Sequence, residues 1–319
     1  AQMMEMLFLP REVGTDQPLP PVDAVGGKGY GLYWLAVHGF PTPPTWVLST
    51  EAFVLAVRRM ELEETIATLE QSLSALGGDW ARIQQSLDEL EPRRQEVVDR
   101  LAQSVLPEPV GRVLEKLVLM PTQWAVRSSA TVEDRPGKSF AGQFLSLLSV
   151  PSGRALWDAI REVWASVFRR EVLVYCAQRG IPLPRMAVIL QPMGPITIRD
   201  RSGVTFSHSP VPNLPGVLIQ AAYGAGETVV QGYGGDLYSV DEGEVRVQRM
   251  PPPQVRITGP EGYLISVDGP PDLPLSEEEA RHLARLASRV AGAWGGPVNL
   301  EFIWRAGEEP QLVQVRSAV

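Results

Sequence analysis

The chain of 319 residues carries 37 acidic against 29 basic side chains, a net charge of −8, with 44% hydrophobic and 21% charged residues. This is the composition of a soluble globular protein large enough for two or three units with cores of their own, and the acidic balance argues against general nucleic-acid binding. A single cysteine, Cys176, excludes an internal disulfide and suits a reducing cytoplasm, and neither a signal peptide nor an apolar run of about 18 residues points to a membrane.

In chain order, residues 14–24 are proline-rich and read as a loop leading into the glycine turn Gly26-Gly27-Lys28-Gly29. Apolar positions in 31–38 have helical spacing, which puts Lys28 at or just before a helix N-terminus. Thr45–Leu48 reads as a short strand, and 51–117 as a helical insertion with breaks at Gly77-Gly78 and Pro107, its charges a solvated face. The segment 122–150 predicts strand, loop, strand. A helix is expected over 153–179, with Trp157, Trp164 and Phe168 forming a core stripe and Cys176 a small buried residue. Further strands are expected at 186–191, 203–206, 217–222, 237–240 and 245–249. Ser276-Glu-Glu-Glu279 predicts a capping box opening a helix through Leu283, Leu286, Val290 and Trp294, and two strands, 298–304 and 311–316, end the chain. Elements in this order predict an α+β protein rather than a doubly wound parallel sheet.

Chemistry is concentrated in a few places. Only Lys28, Lys116 and Lys138 are lysines. Lys28, flanked by glycines that let the backbone approach a ligand, is either a phosphate-binding ammonium or a loop lysine. The turn is not a Walker A loop, because Gly29 follows the lysine and Val22 stands where the first glycine should be. Arg127, in Trp124-Ala-Val-Arg127-Ser128-Ser129-Ala-Thr131, carries a planar fork suited to bridging phosphoryl groups, with hydroxyl and backbone donors from Ser128, Ser129 and Thr131 beside it. Glu133 and Asp134 read as caps of the following turn. In Asn299-Leu-Glu301 and Gln314-Val-Arg316, side chains two apart share a face, so Glu301, Gln314 and Arg316 converge if the strands are neighbours. His38, His208 and His282 show no metal spacing and no phosphocarrier context.

Six blocks occur in order: Val25-Gly-Gly-Lys28-Gly29 with Gly39-Phe-Pro41-Thr-Pro43-Pro44 after it, Ala125 to Asp134, Ser139-Phe-Ala-Gly142-Gln143, Ser202-Gly203-Val204-Thr-Phe206, Tyr223-Gly224-Ala-Gly226-Glu227 and Gln314-Val-Arg316. Over roughly residues 22–319 the chain thereby resembles the nucleotide-binding domain of phosphoenolpyruvate synthase and pyruvate, phosphate dikinase. The resemblance implies an ATP-grasp-like fold: two α+β subdomains, 1–185 and 186–319, enclosing a nucleotide cleft, with 51–117 as the insertion. It implies ATP and Mg2+ as cofactors, nucleotide contacts from Gly26, Gly27, Lys28, Arg127, Ser128, Gln191, Met193 and Glu227, and metal ligation by Glu301 and Gln314, with Arg316 on the phosphates. Lys28, Arg127 and Arg316 would be the catalytic cations. Gln191-Pro-Met193 would meet the adenine edge, although the Gln191 side chain is equally a strand end, and Glu227 would orient a cation or cap a helix. Asn299, the third implied metal-site residue, departs from the pattern, since many relatives have aspartate there; its amide oxygen can still coordinate, but the site is one carboxylate poorer. The implied reaction passes a phosphoryl group from ATP to a histidine on a separate domain or partner, which lies outside these residues. The alternatives are a nucleotide-sensing module without catalysis, or the ATP domain of a relative that phosphorylates an antibiotic or glucan.

Overall fold

The computed structural model describes residues 7–8, 18–132, 144–230, 232 and 234–318; Glu133, Asp134 and the block 139–143 lie outside them. Strand β1 (Leu7–Phe8), helix α1 (Val22–Val37) and strand β2 (Trp46–Leu48) are followed by four helices, α2 (Thr50–Arg59), α3 (Glu63–Ser74), α4 (Trp80–Ala102) and α5 (Glu108–Val118). Strands β3 (Gln123–Ala130) and β4 (Ser146–Pro151) come next, then helices α6 (Arg154–Ala165) and α7 (Arg170–Arg179) and strand β5 (Met186–Met193). The second half contains β6 (Arg201–Phe206), β7 (Val217–Tyr223), a short helix α8 (Glu227–Val230), β8 (Asp236–Asp241), β9 (Glu244–Gln248), β10 (Val255–Thr258), β11 (Leu264–Val267), helix α9 (Glu277–Trp294), β12 (Val298–Trp304) and β13 (Gln311–Ser317). No helix among the described residues is long and apolar enough to cross a membrane.

The strands form a five-stranded sheet, β1-β2-β5-β3-β4, a six-stranded sheet, β13-β12-β6-β7-β8-β9, and the hairpin β10-β11. All of these pairings are antiparallel. The chain is therefore mixed helix and antiparallel sheet. Alternation assigns the faces. On one side of the first sheet Trp124, Val126, Ala130, Val188 and Leu190 join a core with α2, α5 and α6. In the second sheet Ile219, Tyr238, Leu300 and Phe302 pack with Leu283, Ala287 and Val290 of α9. The capping box is present: the Ser276 hydroxyl accepts from the Glu279 N–H and the Glu279 carboxylate accepts from the Ser276 N–H. The insertion helices start and stop where the breaks are, with Asp79 capping α4 after the glycine pair and Pro107 preceding α5.

Three expectations need correction. The helix predicted over 153–179 is interrupted, because a 3-10 turn at Ser166–Phe168 and an extended Arg169 separate α6 from α7. Trp164 and Phe168 are core residues all the same. The hairpin β10-β11 is an addition to the expected strands. Gly26 is non-helical and divides α1 into two stretches, so Lys28 stands in the first turn of the second stretch, at a helix N-terminus as expected. Lastly, a division at 185/186 does not follow the sheets: Met186–Met193 lies between β2 and β3 in the first sheet, and the chain changes sheet only after Met193.

Candidate active site

Residues of the two sheets line one cavity of about 450 Å³, a size in the ordinary range for small-molecule sites. In the first half, the turn that carries Lys28 to the cavity begins at Gly26. With φ of 72°, Gly26 breaks α1, and a Cβ there would stand 2.1 Å from the Ser129 carbonyl oxygen. The Ser129 hydroxyl donates to the Val25 carbonyl at 2.5 Å and accepts from the Gly29 N–H at 2.9 Å, fastening the turn to β3. Lys28, carried on this fastened turn, lines the cavity, whereas Gly26 and Gly27 do not.

Arg127 lies between Ile189 of β5 and Ser146 of β4 in the ladder, on the face shared with Ala125, Ser129 and Gln191. Its Nε donates to Gln191 Oε1 at 3.2 Å, and Gln191 Nε2 donates to Thr45 Oγ1 at 3.1 Å. Burial pulls the Arg127 pKa below the usual guanidinium value, and the facing Glu301 carboxylate acts in the opposite sense. The group stays a cation. Ser128, expected beside it, points to the other side: strand alternation sends its side chain into the helical layer, where it is fully buried and lines no part of the cavity. Ser129 is the serine on the cleft face.

In the second half, β12 and β13 are neighbours, and their register sets Glu301 opposite Gln314 and Asn299 opposite Arg316. Glu301 and Gln314 line the cavity, while Asn299 and Arg316, one ladder step further, do not. A bulge at Glu301/Phe302 shifts the register so that Gln311 opposes Ile303. Gln311 and Gln314, three residues apart, therefore both line the cleft, a spacing that strict alternation forbids. Among the described residues no group of three or more His, Cys, Asp or Glu side chains could hold a metal.

The other end of the cavity is apolar, with Met193 packed among Ala125, Ile196, Ala225, Leu148 and Leu264. The hairpin, an element that the sequence pattern does not reveal, packs Leu264 against this cluster without lining the cavity itself. Gly224, at φ of 81°, lets the backbone pass the Arg256 carbonyl, which a Cβ would approach to 2.4 Å. Glu227 opens α8, lines the cavity and pairs with Arg256 Nε at 3.2 Å. Arg169 and Arg305 also line it. Arg305 donates to the carbonyls of Pro195 and Gly194 at 2.9 and 3.1 Å, holding the segment that joins the sheets. Neither arginine carries a motif, and Arg169 reads in sequence as mid-helix. None of the three histidines lines the cavity: His38 is bonded to the Trp34 carbonyl, His208 to Ser207, and His282 stands 3.6 Å from Glu309.

Comparison with known proteins decides what this cleft belongs to. The family described as "Pyruvate phosphate dikinase, AMP/ATP-binding domain" matches residues 22–318. The chain belongs to that family. It is 26% identical over 96% of its length to a probable phosphoenolpyruvate synthase of Methanothermobacter thermautotrophicus, covering 45% of that protein. It is 27% identical over 96% of its length to a probable phosphoenolpyruvate synthase of Archaeoglobus fulgidus, covering 40%. A rifampicin phosphotransferase of Streptomyces sviceus is 29% identical over 88% of the chain, which covers 32% of that protein. The chain thus spans less than half the length of these relatives, and the part it spans is the AMP/ATP-binding domain.

Proposed function

We propose that the cleft binds ATP with Mg2+ and presents the nucleotide for transfer of a phosphoryl group to a histidine on another domain or protein. One observation carries the reading: Lys28 and Arg127 from the first sheet side and Glu301 and Gln314 from the second converge on a single cavity whose far end is apolar. Two cations suit a polyphosphate, and the end lined by Met193, Ile196, Ala225 and Leu148 suits a purine. Two antiparallel layers enclosing the nucleotide make the arrangement ATP-grasp-like, with Arg316 at the margin of the phosphate region.

The donor set fits magnesium. Glu301 and Gln314 offer one carboxylate and one amide oxygen on adjoining strands, and Mg2+ retains several waters and takes substrate phosphates, so two protein oxygens suffice. The ion would neutralise phosphate charge. Asn299 sits one step outside this pair, facing Arg316. That position supports the second reading, a nucleotide sensor without transfer, because an amide there adds no charge to the metal site. Release of AMP or ADP when a histidine-bearing phosphocarrier domain is supplied separates the two readings.

The relatives are named for different products of transfer, as phosphoenolpyruvate synthases in some and rifampicin phosphotransferases in others. What is proposed here is the step they would have in common. Titration of the chain with ATP under saturating Mg2+ should show binding that weakens on the order of tenfold in Lys28→Ala, the loss of one hydrogen bond to a charged group. Absence of ATP binding by the unsubstituted chain would sink the reading.

A further inference from the structure

We propose that Thr45 and Gln191 are positioning residues for Arg127: a fixed-polarity relay in which the Thr45 hydroxyl locks the Gln191 amide so that its oxygen holds Arg127 Nε. The relay rests on three bonds. Arg127 Nε donates to Gln191 Oε1 at 3.2 Å, Gln191 Nε2 donates to Thr45 Oγ1 at 3.1 Å, and Thr45 Oγ1 donates to the Pro43 carbonyl at 2.9 Å. Thr45 and Gln191 are buried, at 6% and 3% exposure.

Only one direction of bonding is open to this chain of groups. A guanidinium is a donor without acceptor capacity, so the atom of Gln191 that meets it must be the oxygen. The amide nitrogen then faces Thr45, whose oxygen must accept. The hydroxyl proton consequently points away, and the Pro43 carbonyl receives it. Thr45 and Gln191 are buried and Arg127 is half-buried, so reversing the Gln191 amide would leave donor facing donor away from water, at a cost the other members cannot absorb. The ladder explains why these residues meet. Trp46 pairs with Leu190, and one step further places Thr45 beside Gln191 just past the end of β2.

The relay engages Arg127 on its Nε side alone, and among the described residues no hydrogen bond occupies either Nη group. A guanidinium held by one edge presents its other edge in a fixed orientation, the preorganisation that a cation meeting a phosphoryl group requires. Gln191 therefore acts through Arg127, and Thr45, which does not line the cavity, acts through both. This inference rests on the functional reading for its purpose, though not for its test.

The test follows the Arg127 Nε–H directly. In the chain labelled with 15N-arginine, the Arg127 Nε–H signal is assigned by its loss in Arg127→Lys, and its exchange with water is measured. Thr45→Val, which keeps the side-chain shape, should speed that exchange about tenfold, the equivalent of one buried hydrogen bond. Thr45→Ser should restore protection. Gln191→Glu keeps an acceptor for Arg127 and should leave the signal protected, whereas Gln191→Leu should expose it; this pair decides the matter if Thr45→Val does not fold. Unchanged exchange in Thr45→Val, or in Gln191→Leu, overturns the relay. A second readout uses MgATP affinity, expected to fall about threefold in Thr45→Val and not at all when the same change is made in Arg127→Ala. An equal loss in both backgrounds overturns the relay, because Thr45 would then act through strand packing. A chain that binds no ATP refutes the functional reading and leaves the exchange result to judge the relay.

Discussion

The two ladders that face each other across the cleft use the same backbone device for opposite chemistry. On β3 and β5, the cation Arg127 is half-buried against a polar neighbour and held by side-chain hydrogen bonds. On β12 and β13, the oxygens of Glu301 and Gln314 are set opposite each other by register, with a bulge offsetting the pairs beyond them. The difference is physical. A half-buried guanidinium has five donors and is oriented by directed acceptors, whereas a carboxylate and an amide oxygen that take the hydrated ion proposed above would tolerate looser placement. Side-chain changes should therefore be felt sharply on the first ladder, and charge changes on the second.

The largest effect is expected from Arg127→Ala. With a histidine-bearing phosphocarrier domain supplied, phosphoryl transfer should fall a hundredfold or more, on the order of 3 kcal/mol in the transition state, with a modest change in ATP affinity. Intact transfer would reduce Arg127 to a structural residue. On the opposite ladder Glu301→Gln preserves shape and removes charge. The Mg2+ concentration needed for nucleotide binding should rise on the order of tenfold to a hundredfold; an unchanged requirement would place the ion elsewhere.

Gly26→Ala tests how the first ladder is fastened to α1. The positive φ and the contact with the Ser129 carbonyl should cost about 1–3 kcal/mol, read as a lowered thermal midpoint, while Glu301 and Gln314 keep their register. The smallest effect is expected from Asn299→Asp. The new charge would face Arg316 one ladder step from Glu301, so the Mg2+ requirement should move by no more than about threefold. A larger gain would show that position 299 reaches the ion after all.

The contrast also explains what can be read from sequence. On β12 and β13 apolar and polar residues alternate, so the face shared by Asn299 and Glu301 is legible, and the neighbouring of the two strands is the only missing fact. In Arg127-Ser128-Ser129 two identical polar residues give no such contrast, and the sequence alone puts Ser128 on the cleft face that Ser129 occupies. A bulge inserts a residue without a sequence mark, which hides Gln311. The break at Ser166–Arg169 contains neither proline nor glycine, so the helix pattern runs through it and conceals Arg169. Strands β10 and β11 have four residues each, too short for periodicity to show among prolines and glycines. The fold is legible where apolar residues repeat over long segments. Partners brought together from distant positions, Thr45 with Gln191 above all, are not.

Helix α1 belongs to two cores. Val25 and Leu32 pack on Val47, Ala187 and Ile189 of the first sheet, whereas Trp34 and Leu35 lie among Leu300, Leu283 and Val290 of the second half. Gly31 between them has no room for a Cβ, which would touch Val315 at 3.0 Å. A clamp whose jaws are joined only by a linker can lose one jaw to heat while the other stays folded. Here neither core can melt without exposing one end of the same helix, Val25 at 0% or Leu35 at 0% exposure. The two halves are thereby coupled in stability, so calorimetry should record a single cooperative transition with matching calorimetric and van't Hoff enthalpies.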